Sequence, residues 1–162
     1  MAIHVRALQP GDWSHVSRIY AQGIATGLAT FETRVPTWEA FNGGCHEFCR
    51  LVAESETTVC AWAVLKPTSS RAVYRGVTEL SIYVGAEYRG RRIGHRLLSE
   101  LIPCSETAGI WTIQASVFPG NTASVGLLRS QGFRTVGRRE RVARLNGRWH
   151  DTLILERRSP AL

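Results

Sequence analysis

The sequence predicts an α/β fold: one mixed sheet with helices on both faces, formed by residues 1–162 as a single domain. Three observations carry this expectation. Short apolar runs with strand character recur along the chain. Between them lie stretches whose apolar residues repeat every three or four positions, as one helix face requires. Glycine, proline and asparagine separate the two kinds of segment. The resulting order is β-α-α-β-β-β-α-β-α-β-β.

Ile3-His4-Val5-Arg6 alternates and reads as the first strand, ending at Gln9-Pro10-Gly11. Asp12 is the expected N-cap of a helix over 13–24, with Trp13, Val16, Ile19, Tyr20 and Ile24 on one face. After a polar-aromatic loop at 29–33, Thr37 caps a second helix. Asn42-Gly43-Gly44 weakens its middle and predicts a bend or a split. Segments 51–53 and 59–65 form a hairpin around Glu54-Ser55-Glu56-Thr57-Thr58. A long strand is expected over 72–84, then a helix with Ile93, Leu97, Leu98 and Leu101 as its buried stripe. Pro103 should end or kink that helix, because proline removes an interior hydrogen bond. Residues 110–117 read as a strand. Asn121 or Thr122 caps a helix that Gly132 stops. Strands at 133–142 and 149–156 close the order around an Asn146-Gly147 type I′ turn.

Composition sets further bounds. A hydrophobic fraction of 44% with 20% charged residues is globular, not disordered. No apolar run reaches the roughly 18 residues of a membrane span, and the N-terminal stretch has no signal-peptide core. A cytoplasmic protein with no membrane partner is the expectation. The net charge is +7, and Lys66 is the only lysine. That charge suits an anionic partner or reflects a basic, solvated surface. Nucleic-acid binding rests on charge alone, without the aromatic-basic interleaving that would support it. The four cysteines, Cys45, Cys49, Cys60 and Cys104, read as buried free thiols. Cys45, His46 and Cys49 could make half a metal site, but no second pair completes it, so no metal is expected.

The stretch from Thr78 to Ser99 has the composition of an anion site. An apolar strand runs into a loop bearing Arg89, Gly90, Arg91, Arg92 and Gly94, which opens a helix that also carries Arg96. Unpaired N–H groups and the helix dipole favour negative charge at such a start. Arginine can fork onto phosphate oxygens, and glycine allows close backbone approach. Glu79 lies mid-strand among apolar residues, where a carboxylate is costly without a role. The bland alternative is a half-exposed strand glutamate paired with Arg75.

Two segments carry a resemblance: R-G-R-R-I-G after a strand, and F-P-G-N-x-x-S-x-x-L-L-x-x-x-G-F near 118–133. Together they resemble the GNAT acetyltransferase superfamily over most of the chain. A-T-F-E-T at 29–33, Y-R-x-x-x-E-x-S-I-Y-V at 74–84 and G-R-W-H-D at 147–151 are similar to its phosphinothricin/methionine sulfoximine acetyltransferase group. The resemblance implies a predominantly antiparallel mixed sheet, acetyl-CoA as co-substrate, a small amino-acid-like amine as acceptor, and a homodimer. It implies that the Ile82, Tyr83 and Val84 backbone pairs with pantetheine. Arg89, Gly90, Arg91, Arg92, Ile93 and Gly94 would hold the pyrophosphate, with Asn121 and Ser124 touching the coenzyme. Phe31, Glu32 and Thr33 would wall the substrate opposite Tyr74, Arg75, Gly76 and Val77, with Arg75 gripping a carboxylate.

Glu79 is the expected general base, accepting a proton from the amine through water. His150 is a secondary candidate base. Two departures from the family pattern stand out. Arg92 occupies a glycine position, where a positive φ would be costly. Leu128 stands where many members place a tyrosine or histidine able to protonate the leaving thiolate. Alternatives are the same chemistry on an aminoglycoside, a polyamine or a protein N-terminus, or a non-catalytic acyl-CoA sensor.

Overall fold

The computed structural model describes residues 2–162. Seven strands form one sheet in the order β1-β2-β3-β4-β5-β7-β6. They are β1 (Ile3–Ala7), β2 (Leu51–Ser55), β3 (Thr58–Pro67), β4 (Val77–Val84), β5 (Thr112–Val117), β6 (Arg134–Leu145) and β7 (Arg148–Arg158). The helices are α1 (Trp13–Ala25), α2 (Trp38–Gly44), α3 (Ile93–Thr107) and α4 (Thr122–Ser130). Every strand pairing is antiparallel except β4 with β5. Among the described residues no helix is long and apolar enough to cross a membrane.

β3 is the keel of this sheet. Its residues from Val59 to Leu65 are at most 2% exposed, because both of its faces are covered. Trp62 and Val64 pack with Val16, Ile19 and Tyr20 of α1 and Phe41 of α2. The alternate residues Ala61, Ala63 and Leu65 pack with Leu97, Leu98 and Leu101 of α3 and Val125 and Leu128 of α4. A strand buried on both sides reads as a continuous apolar run, and 59–65 is one. Across the pair, Trp62 stacks on Tyr83 at 4.7 Å between ring centroids, and Tyr20 lies 5.0 Å from Tyr83. Such offset pairs add to the burial of the rings and fix their orientation.

Several local expectations are corrected. The segment expected to be one strand over 72–84 divides. Ala72–Tyr74 is a single 3-10 turn, and β4 begins at Val77. The break is at Gly76, which is packed under Trp111: a Cβ there would lie 2.1 Å from the indole. The Gly76 carbonyl accepts from the Trp111 and Thr112 amides at 2.9 and 3.0 Å. Asp12 precedes α1 but does not cap it with its side chain. Its carboxylate instead accepts two bonds from the Arg6 guanidinium, both 2.9 Å, and one from the Gln9 amide at 2.8 Å. Arg6 also donates to Glu54 at 3.0 Å, so the group ties β1, the turn into α1, and β2 together.

The second helix stops at its glycine pair and does not continue past it as a bent helix. Pro103 sits inside α3, which continues to Thr107. The proline is exposed, as is Ser99, whose carbonyl loses its i+4 donor, so water can satisfy the freed group. Two of the four cysteines are not free: Cys49 and Cys104 form a disulfide with a Cα–Cα distance of 5.9 Å, joining the loop before β2 to α3. This removes Cys49 from the half metal site considered with Cys45 and His46. Cys45 and Cys60 are free and buried, and burial pushes both thiols up.

The feature that positions the site is a parting of strands. β4 pairs β5 only through Val77↔Thr112, Thr78↔Ile113 and Glu79↔Gln114. Beyond Glu79 each strand keeps its outer partner. β4 follows β3 as far as Val84↔Ala61, and β5 follows β7 as far as Val117↔Leu153. A wedge therefore opens between 80–84 and 115–117.

The Arg6–Asp12 group makes a testable contribution to stability. Hydrogen bonds from Arg6 hold the Asp12 carboxyl below the usual carboxylate range; burial opposes them, and the Gln9 amide assists. A depressed folded value means that the stabilisation is full above the ordinary aspartate value of about 3.9 and is lost as pH falls through the folded value. Asp12→Asn should cost about 1–2 kcal/mol at pH 7, the range for charge-assisted bonds discounted for a partly exposed partner. Urea denaturation of wild type and variant should show that gap closing as the pH drops below about 4. A gap unchanged at low pH would mean that the carboxylate's charge is not what stabilises the fold.

Candidate active site

The wedge and its surroundings form a cleft with two compartments. The inner chamber, about 260 Å³, lies where β4 and β5 part. Its floor carries Glu79 and Ser81 of β4 and Lys66 of β3, its far wall carries Ser116 to Phe118, and Thr30, Phe31 and Glu32 close it from the loop after α1. Phe31 meets Phe118 edge to face at 4.8 Å. The outer groove, about 630 Å³, runs along Ile82 to Val84 to the loop before α3 and the first turns of α3 and α4. Ala29, Ile82, Tyr83, Asn121, Ser124 and Leu127 line both compartments, so the two are continuous.

The loop at the groove's end combines left-handed backbone with positive charge. Gly90 takes φ +75°, and Arg92, the N-cap of α3, takes φ +61°. The positive φ that would be costly at Arg92 is therefore present. The loop holds that conformation despite the Cβ, at a cost of about 1–2 kcal/mol. No Arg92 side-chain bond caps α3, and the amides of its first turn are left for water or a ligand. Gly94 is buried, and a Cβ there would come 3.1 Å from Leu127 and 3.5 Å from Val84. The helix start thus sits directly against the strand end and α4. Arg89, Arg92 and His95 line the same groove. Its residues fit a phosphate-bearing ligand.

Asn121 ties the cleft's other rim. Its side-chain oxygen accepts from the Ser124 amide at 3.2 Å, capping α4, and its nitrogen donates to the Leu28 carbonyl at 3.2 Å. The helix start and the loop bearing Phe31 and Glu32 are thereby held together. Capping and lining the groove are compatible roles, as the sequence reading allowed.

Glu79 is half-buried in the chamber floor, opposite Lys66 in the β3–β4 register and opposite Gln114 in the β4–β5 register. Its carboxylate makes no ion pair among the described residues. The bland pairing with Arg75 is not formed. Arg75 donates to the Ala72 carbonyl at 3.2 Å and lies over the Trp111 ring at 5.5 Å. Tyr83, at the junction of the compartments, has its phenol pushed well up by burial, with Tyr20 and Glu32 adding to the shift. It stays protonated at neutral pH and can donate.

Of the expected coenzyme residues, Ile82, Tyr83, Val84, Arg89, Gly90, Arg92, Ile93, Gly94, Asn121 and Ser124 are brought together in the groove. Arg91 is not among its lining residues; its guanidinium lies 5.9 Å over the Tyr88 ring. Of the expected substrate wall, Phe31 and Glu32 line the chamber and Thr33 does not. Tyr74, Arg75, Gly76 and Val77 line neither compartment: the first three lie in or just after the turn ahead of β4, and Val77 pairs with Thr112 where the wedge is still closed. His150 also lies outside. Its ring stacks on Phe118 at 5.0 Å and stands 6.2 Å from Phe31, so it backs the aromatic wall and does not face the chamber.

The sequence reading missed Lys66, Thr30, Ser81 and Ser116 in the chamber and His95 in the groove. One signal was available. Lys66 is the only lysine in the chain and closes a strand otherwise wholly apolar from Val59 to Leu65.

Comparison with known proteins agrees with this geometry. Residues 19–133 match the family model described as acetyltransferase (GNAT) family. The chain is 32% identical to the phosphinothricin N-acetyltransferase of Alcaligenes faecalis over 96% of this chain and 82% of that protein. It is 36% identical to the L-methionine sulfoximine/L-methionine sulfone acetyltransferase of Pseudomonas paraeruginosa, over 51% of this chain and 48% of that one. A GNAT superfamily phosphinothricin acetyltransferase from Sinorhizobium meliloti, crystallised in complex with AcCoA, superposes with a TM-score of 0.88. It is 28% identical, with 100% of this chain and 92% of that chain covered. A mixed seven-stranded sheet with a parted β4–β5 pair, an arginine-glycine loop opening α3, and these relatives place the chain in the GNAT acetyltransferase family.

Proposed function

We propose that this acetyltransferase moves the acetyl group of acetyl-CoA to the α-amine of a small amino-acid-like substrate of the phosphinothricin, methionine sulfoximine or methionine sulfone type. The observation that carries the reading is the continuity of the cleft. One end is an arginine-glycine helix start and the other is a chamber with an unpaired carboxylate. At about 3.3 Å per residue, Glu79 lies roughly 16 Å along the strand from Val84. That span suits an extended arm whose phosphates rest at the loop.

Acetyl-CoA would supply the thioester carbon that the amine attacks. The chain's own groups do the rest. Arg89, Arg92 and the open amides of α3 hold the phosphates. The backbone of β4 from Ile82 to Val84, free of β5, is an edge to which an amide-bearing arm can add. Free β4 amides at the Glu79 end of that edge would steady the carbonyl oxygen as charge develops on it. Phe31 and Phe118 exclude water from one side of the chamber. Glu79 takes the amine's proton through a water as the C–N bond forms and the C–S bond breaks. Leu128 is buried at the chamber wall and has no proton to give the leaving thiolate. The same chemistry on an aminoglycoside is the weaker alternative, since a chamber of about 260 Å³ suits a single small ligand better than a multi-ring one. An acyl-CoA sensor would have no use for a carboxylate at the end of the coenzyme's path.

Two outcomes test the reading. In a thiol-release assay with methionine sulfone, Glu79→Gln should lower kcat about 10²–10⁴-fold, while calorimetric CoA affinity stays within twofold. Retained turnover would remove Glu79 from the chemistry. Arg92→Gly should raise thermal stability by up to about 1 kcal/mol, since glycine relieves the left-handed strain at some entropic cost. The same variant should weaken CoA binding several-fold, by loss of a phosphate cation. Unchanged CoA affinity would place the phosphates elsewhere.

A further inference from the structure

We propose that Lys66 is the residue that receives the substrate's carboxylate, which makes the enzyme selective for α-amino acids over simple amines. The inference rests on the acetyl-transfer reading above and deepens it. Three observations converge on this residue. Lys66 is the only cationic side chain among those lining the chamber, whose other ionisable walls are the carboxylates Glu32 and Glu79 and the phenols Tyr20 and Tyr83. The arginine expected for this task, Arg75, is held on the Trp111 ring and lies outside both compartments. Arg89 and Arg92 stand at the other end of the cleft, where the phosphates are assigned.

The placement is specific. Lys66 and Glu79 are directly opposed in the antiparallel register, on the sheet face that also carries Trp62, Val64, Ser81 and Tyr83. Side chains opposed in this way have Cβ atoms about 4.5–5.5 Å apart, and opposite charges there ordinarily pair. Here no ion pair forms between them. An unpaired cation beside an unpaired carboxylate is the complement of a zwitterion whose ammonium and carboxylate sit on one carbon. The substrate's carboxylate goes to Lys66 and its amine to the Glu79 side, where the proton leaves. A compact ammonium on a flexible stem suits this confined position better than a planar fork.

The test compares methionine sulfone with its α-carboxamide, which keeps the amine and side chain but lacks the carboxylate's charge. For Lys66→Met, KM for the acid should rise at least tenfold with kcat changed less than threefold, and KM for the carboxamide should stay within twofold. Lys66→Arg should recover a large part of the loss, and Lys66→Gln, which is polar but uncharged, should not. A parallel rise for acid and carboxamide, or no rise for either, overturns the assignment while leaving acetyl transfer intact. Wild-type enzyme that acetylates amines but prefers the carboxamide to the acid also overturns it. Wild type that acetylates neither compound overturns both this assignment and the functional reading beneath it.

Discussion

The structure depends on a conflict of loyalties between two neighbouring strands. β4 is bonded along its length to β3, and β5 along its length to β7. Their common parallel register lasts for three residue pairs. Past that point each strand follows its outer partner, and the sheet opens. A buried, unpaired strand edge is costly unless something completes it. In this protein the open edge faces the groove, so a ligand that supplies hydrogen bonds to Ile82–Val84 also repairs the sheet.

The wedge is useful only because its two banks are rigid. On one bank, β3 is buried on both sides, and the Trp62–Tyr83–Tyr20 stack locks the rings that back the chamber. On the other, the Phe31–Phe118 contact with His150 behind it holds the wall. Gly23 permits this packing on the α1 side: a Cβ there would stand 2.6 Å from the Tyr83 ring. Substitutions at such positions would reach the site through packing, without touching a ligand.

The loop before α3 carries backbone strain at a helix start. A left-handed arginine at a helix start is an unfavourable choice on conformational grounds alone. It places a fixed positive charge where the helix dipole and open amides already favour an anion. Charge and strain at Arg92 are therefore parts of one arrangement, and a glycine there would keep only the conformation.

The sequence by itself determined the element order, the turn at Asn146-Gly147, the helix stop at Gly132 and the loop at 89–94. Each rests on local chemistry: positive φ, capping, or a period of apolar residues. It also singled out Glu79, because a carboxylate in an apolar strand is conspicuous at the level of composition. What it could not decide were matters of distance across the fold. Whether 72–76 continued a strand turned on Trp111 closing over Gly76, some 35 residues away. The pairing of Cys49 with Cys104 depended on α3 packing beside the start of β2, and the burden on Asp12 depended on Arg6 reaching it from β1. The chamber's cation followed the same rule: Arg75 looked suited by type and neighbourhood, but the register of β3 on β4 brings Lys66 in its place. Local sequence dictates what a segment can be, and only tertiary packing dictates which side chains share a cavity.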